Sequence, residues 1–129
     1  MSHADVELVR EAYTLLRRGD ARFLRPLVAD DATWEPAART SRRRSENGDE
    51  LTERWLYRAR THRLHVTETA DLGNRVLVGV AGRRMGYMGA RWWGRTIFQL
   101  VTVRDGRIAH VQDFRTREEA LASLGVGAG

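Results

Sequence analysis

The sequence predicts an α+β domain in which helices come first and a curved antiparallel sheet wraps around them. Three observations lead there. Apolar residues recur at three- and four-residue spacing through the N-terminal third of the chain. From Leu64 onward the texture changes to alternation and β-branched runs, punctuated by Gly73-Asn74 and Asp105-Gly106, as a four-strand meander requires. The 129 residues show no repeat and no internal linker, a length that suits one domain over residues 1–129.

The elements follow in order. Over residues 5–18, Val6, Val9, Ala12, Tyr13 and Leu16 form an apolar stripe that Leu8 and Leu15 widen, and Gly19 stops it. Asp20 can cap a second short helix that buries Phe23, Leu24, Leu27 and Val28, with Asp30-Asp31 ending the segment. Ala32–Glu35 reads as a short strand closed by Pro36. Residues 37–48 lack periodicity and carry Arg42-Arg43-Arg44 just after Arg39, which makes them a loop. A third helix starts near Asp49, its expected cap, and runs to about Arg60 with Leu51, Trp55, Leu56 and Ala59 on one side. Strands are expected at Leu64–Leu72, Val76–Ala81, Arg91–Val103 and Arg107–Arg115, with Met85–Gly89 as a glycine-rich connection. Thr116 can cap a last helix through Leu124, with Glu118 and Glu119 in its first turn and Gly125 at its end.

Composition removes several functions. There is no cysteine, hence no disulfide, thiolate nucleophile or cysteine metal site. All 22 basic residues are arginine, which also excludes Schiff-base lysine chemistry. The four histidines, His3, His62, His65 and His110, lack the spacing of a metal motif, so no metal and no cofactor are expected. No apolar run is long enough to span a membrane, and Met1–Asp5 lacks a signal peptide's regions; the expectation is a soluble, cytosolic protein. The net charge of +5 comes from arginines spread along the chain, many beside acids, as GC-rich codon usage alone can produce. Trp92-Trp93 does not make a stacking platform with interleaved arginines, so a nucleic-acid partner is not expected.

The order of these elements, with Val6–Gly19 and Asp20–Leu27, Asp30–Pro36, Leu100–Ile108 around Asp105-Gly106, and Gln112–Gly125, resembles the nuclear transport factor 2-like superfamily. The likeness is greatest to its SnoaL-like branch of polyketide-cyclase homologues, and more distant to ketosteroid isomerase. It covers nearly the whole chain and implies a cone-shaped fold with an apolar pocket between the concave sheet and the helices. It implies little about chemistry, because the fold hosts isomerases, cyclases, hydrolases and silent binders.

The Asp105-Gly106 hairpin can close in two registers. A two-residue turn pairs Gln99 with Gln112; a type I turn with a glycine bulge pairs Gln99 with Val111 and Ile97 with Asp113. The second matches the inward positions that the resemblance implies. It places Arg95, Ile97, Gln99, Val101, Val111, Asp113 and Arg115 on one face, and Phe98, Leu100, Ile108, His110, Gln112 and Phe114 on the other. Both faces are substantially apolar, so the outer one is expected to form a homodimer.

The resemblance implies that Asp113 is the general acid/base of an aldol closure, and desolvation in an apolar pocket would suit it to proton transfer. The alternative is an ion pair with Arg95 or Arg115. Tyr13 and Gln99 fall where the isomerase carries its oxygen-binding donors, whereas its basic aspartate falls at Pro36 or Glu35. Trp34 and Trp55 are expected to line the pocket or lie buried. Met85, Tyr87 and Met88 read as a pocket lip or a packed loop, and the Arg42–Arg44 run as solvated or anion-steering. The leading expectation is a pocket protein for a small hydrophobic molecule. The alternative is a cofactor-independent enzyme acting on a carbonyl-bearing substrate through Asp113, Tyr13 and Gln99.

Overall fold

The first and last helices end at glycines with positive φ, Gly19 and Gly125. The computed structural model describes residues 3–36, 45–83 and 96–125. Helix α1 spans His3–Arg18 and buries Val9, Ala12, Tyr13 and Leu16, the stripe its periodicity marks. Asp20 caps α2 by accepting from the Phe23 N–H. That helix is shorter than expected, Ala21–Leu24, because Pro26 can neither donate to the preceding turn nor fit inside it; a 3₁₀ turn, Arg25–Leu27, follows. Leu24 is buried, but Phe23 is 59% exposed, and Val28 belongs to a strand rather than to the helix.

Strand β1, Val28–Glu35, therefore begins earlier than the sequence suggests and includes Asp30 and Asp31. It lies at the sheet's edge, where charged side chains are tolerated. The step along β1 from Val28 to Thr33 matches a much shorter step on its neighbour, Ile108 to His110, and the two aspartates sit in that irregular stretch. They reach outward to arginines, Asp30 to Arg25 at 2.9 Å and Asp31 to Arg104 at 2.7 Å.

Helix α3 runs Gly48–His62, and its cap is Asn47, which accepts from the Glu50 N–H at 2.9 Å; Asp49, the expected cap, pairs with Arg25 instead. Strands β2, His65–Asp71, β3, Arg75–Ala81, β4, Thr96–Arg104, and β5, Arg107–Phe114, form the expected meander. The sheet order is β1-β5-β4-β3-β2. Its outermost pairing corrects the all-antiparallel expectation: β1 runs parallel to β5, making the sheet mixed. Parallel pairing needs a long connection, and α3 with strands β2 to β4 lies between the two strands.

The β4–β5 register follows neither expected option throughout. Asp105 and Gly106 both have positive φ, +54° and +75°, so a two-residue turn pairs Arg104 with Arg107. Ala109 is then an extra residue between the pairs Val103–Ile108 and Thr102–His110, and this bulge shifts everything beyond it by one. The result pairs Gln99 with Asp113 and Val101 with Val111. Gln99 and Asp113 do share the inner face, whereas Ile108, expected outside, is fully buried in the inner core.

Helix α4, Arg117–Ser123, is capped by Thr116, which accepts from the Glu119 N–H at 3.1 Å. It lies on the outer face, where Ala120 packs with Leu77 and Leu100, and Phe98 and Phe114 are half-buried beside them. Part of the apolar covering assigned to a second subunit thus comes from the same chain. Among the described residues no helix is long and apolar enough to cross a membrane.

Candidate functional site

The sheet's inner face brings together three side chains singled out from the sequence. Gln99 on β4 and Asp113 on β5 face one another across the strand pair, and Tyr13 of α1 reaches them from 86 positions away. The Gln99 amide donates from Nε2 to Asp113 Oδ1 at 2.8 Å. Its Oε1 accepts the Tyr13 hydroxyl proton and also the Trp55 indole N–H at 3.2 Å. Those partners fix the amide's orientation, since the end facing two donors must be the carbonyl oxygen.

Among the described residues the charge partner of Asp113 is Arg58 of α3, not Arg115. Arg58 Nη1 donates to Asp113 Oδ2 at 2.7 Å, and the two side chains are only 3% and 1% exposed. Its guanidinium carbon also lies 4.5 Å from the centre of the Trp34 ring. Arg95 lies outside the described residues, as do Trp92-Trp93, Met85, Tyr87, Met88, Arg39 and Arg42–Arg44. Arg115 is exposed: β5 ends at Phe114, the chain turns toward α4, and the Arg115 N–H donates to Glu119.

Arg58 is not among the residues the sequence singles out, because arginine is ordinarily counted as a surface residue. A signal existed. Leu51, Trp55, Arg58 and His62 follow one another at steps of four, three and four, and all four are buried on α3. An arginine on an otherwise buried stripe calls for an acid opposite, and Asp113 supplies it.

Trp34, Trp55, Ile97, Val101 and Val111 are fully buried and form the wall around this array. Trp55 meets Tyr13 edge-on at 5.2 Å between ring centres and Trp34 at 6.2 Å. Two buried polar atoms, Trp34 Nε1 and Ser45 Oγ, have no hydrogen-bond partner among the described residues. Their backbones exchange two N–H···O bonds of 3.1 Å in an antiparallel bridge, which sends both side chains to the same face.

Electrostatically, Tyr13 is a committed donor. Burial, and after it the negative charge of Asp113, holds the phenol well above its ordinary pKa of 10.0, so the hydroxyl keeps its proton. Both Asp113 oxygens already accept a strong donor. Among the described residues, no group of three histidines or acids is placed to hold a metal ion.

Of the array's members, Tyr13 is the one that lines a surface groove. The groove, of about 360 Å³, runs between α1, the end of α3 and β2, with Tyr13, Leu16, Ala59, Leu64, Val66 and Thr69 along it.

No family model matches the chain, and no curated protein matches it. Solved structures do. An NTF2-like protein of unknown function from Mesorhizobium loti superposes with a TM-score of 0.69 at 19% identity, covering 89% of this chain and 93% of that one. The fold is the nuclear transport factor 2-like one. Two further neighbours carry functional names. A protein of Sinorhizobium meliloti, provisionally named a polyketide cyclase, gives a TM-score of 0.64 at 22% identity over 83% of this chain and 93% of its own. One from Kribbella flavida, provisionally named a ketosteroid isomerase, gives 0.69 at 18% identity over 90% and 80%. Identities this low establish the NTF2-like fold and leave the chemistry to the residues at the site.

Proposed function

We propose that this chain is an NTF2-fold pocket protein that binds a small hydrophobic molecule, with the Arg58–Asp113–Gln99–Tyr13 array as the rigid polar wall behind it. The groove ending at Tyr13 carries this reading. Its floor, Leu16, Ala59 and Leu64, is apolar and almost fully buried, and Val66 adds an apolar side chain that is 39% exposed. A volume of about 360 Å³ falls at the small end of the roughly 300–1,000 Å³ typical of small-molecule sites. The array behind it has its polar capacity directed inward: Tyr13 donates to Gln99, and Gln99 and Arg58 occupy both oxygens of Asp113.

The neutral dye Nile red tests the reading. It should brighten on binding the parent protein, and Thr69→Trp, which fills the groove from β2, should weaken binding tenfold or more while leaving the fold intact. Equal binding by parent and variant would place the ligand elsewhere.

A second reading, acid–base catalysis on a carbonyl-bearing substrate, is favoured by the convergence of Tyr13, Gln99 and Asp113 on one inner face. On that reading Asp113 exchanges the proton and Tyr13 donates to the substrate oxygen, which requires both to leave their present partners. Asp113→Asn would then lower turnover about 10²–10⁴-fold with the fold preserved. For assembly, a homodimer through the half-buried rim of the outer face, Phe98, His110 and Phe114, is the proposed arrangement. Sedimentation of Phe98→Glu should show monomer where the parent shows dimer.

A further inference from the structure

We infer that the groove takes a singly charged amphiphile, an acyl chain ending in a carboxylate, rather than a wholly neutral molecule; this deepens the binding reading above and rests on it. The observation is the sign of the groove's margins. Arg10 and Arg17, two turns apart on α1, stand on one bank as its cations, and the other bank, at the start of β2, carries the polar imidazole of His65. No aspartate or glutamate lines this groove. The chain as a whole has 17 acids to 22 arginines, and the other face of the same helix follows that mixture: the depression there has Glu7 and Glu11 beside Arg10 and Arg18. Among the described residues, the side of α1 that faces β2 thus carries arginines without acids, whereas the neighbouring side mixes the two.

The partners of these cations leave them available. Arg10 meets Glu7 at 3.5 Å across an i, i+3 step, with both side chains more than half exposed, a contact that water and salt largely screen. Arg17 makes no ion pair among the described residues. Between the banks the surface is apolar, with Leu16, Leu64 and Val66, and the uncharged hydroxyls of Thr14 and Thr69 sit at the edge. An apolar chain laid on that floor removes its surface from water, while a carboxylate at its end meets the guanidinium groups in their preferred bidentate geometry. A neutral chain gains the first term and not the second. A cationic one is repelled.

Calorimetric titration with decanoate and with decanol separates the terms, using the whole chain and its Arg10→Gln/Arg17→Gln variant, two exposed helix positions at which glutamine keeps helix propensity. The parent should bind decanoate at least tenfold tighter than decanol, and the variant should bind both alike, at the parent's decanol affinity. Equal affinities in the parent would overturn the anionic assignment while leaving the groove reading intact. Binding of neither probe would overturn both. Capture by vesicles of dioleoylphosphatidylglycerol without decanoate binding would also overturn it, since the cations would then be reading a membrane surface and not a single chain.

Discussion

The β4–β5 hairpin carries a polar cluster on each face, and the two differ in what surrounds them. On the inner face Arg58 and Asp113 are paired at 2.7 Å with almost no exposure, and Gln99, Tyr13 and Trp55 complete their bonding. On the outer face His110 lies between Thr33, 2.6 Å from its Nδ1, and Glu35, 3.3 Å from its Nε2, with the imidazole 26% and the carboxylate 40% exposed. The inner contacts are not intrinsically more favourable. A desolvated pair roughly repays what its burial costs, whereas removing one partner strands a charge where water cannot reach. The outer cluster can lose a member and be resolvated. Similar hydrogen bonds thus make one face rigid and leave the other tolerant.

The largest expected effect comes from breaking the inner pair on one side. Arg58→Met leaves Asp113 buried without its cation and should remove about 3–5 kcal/mol of stability, a fall in melting temperature of roughly 10 °C or more. A loss no greater than that of a surface substitution would erase the contrast between the faces.

Tyr13→Phe is next, at about 1–2 kcal/mol, since it leaves one acceptor position of Gln99 unfilled while Trp55 still donates. It carries a pH signature. The folded Tyr13 holds its proton well above 10.0, whereas the unfolded phenol releases it near that value, so the folded state binds more protons and stability falls as pH rises past 10. Chemical denaturation across that range should show a shallower alkaline decline for Tyr13→Phe than for the parent.

Ser45→Ala should act in the opposite direction. It removes a buried hydroxyl that has no partner among the described residues, and stability should rise by about 1 kcal/mol. A fall would reveal a bound partner for that oxygen. The smallest effect belongs to the outer cluster: Glu35→Gln should change stability by less than about 1 kcal/mol, an effect that fades further in salt.

Much of this contrast is legible in the amino-acid sequence, but not its central residue. Period-3.6 and period-2 patterns locate the helices and the four-strand meander, and Asp20 and Thr116 cap their helices as expected because side-chain capping is local chemistry. Gln99 and Asp113 fall on one face as expected, although by a different route. The two-residue turn and the Ala109 bulge are two separate events, and nothing in the identity of Ala109 announces the second. The parallel placement of β1 depends on contacts such as that between Thr33 and His110, 77 positions apart, beyond the reach of any local pattern. Arg58 is hidden by its residue type, which is ordinarily a surface one. The cover that α4 gives the outer face is hidden too, because the pattern within that short helix does not say which surface it meets.

On the binding reading, Asp113 is held by Arg58 as part of the wall and is not reserved as a proton carrier. A double-mutant cycle with Arg58→Met and Asp113→Asn, read by denaturant unfolding, measures that directly. Each single change should lose several kcal/mol, and the double variant should lose much less than their sum, a coupling of about 2–3 kcal/mol. Additive losses, or an Asp113→Asn variant as stable as the parent, would contradict it.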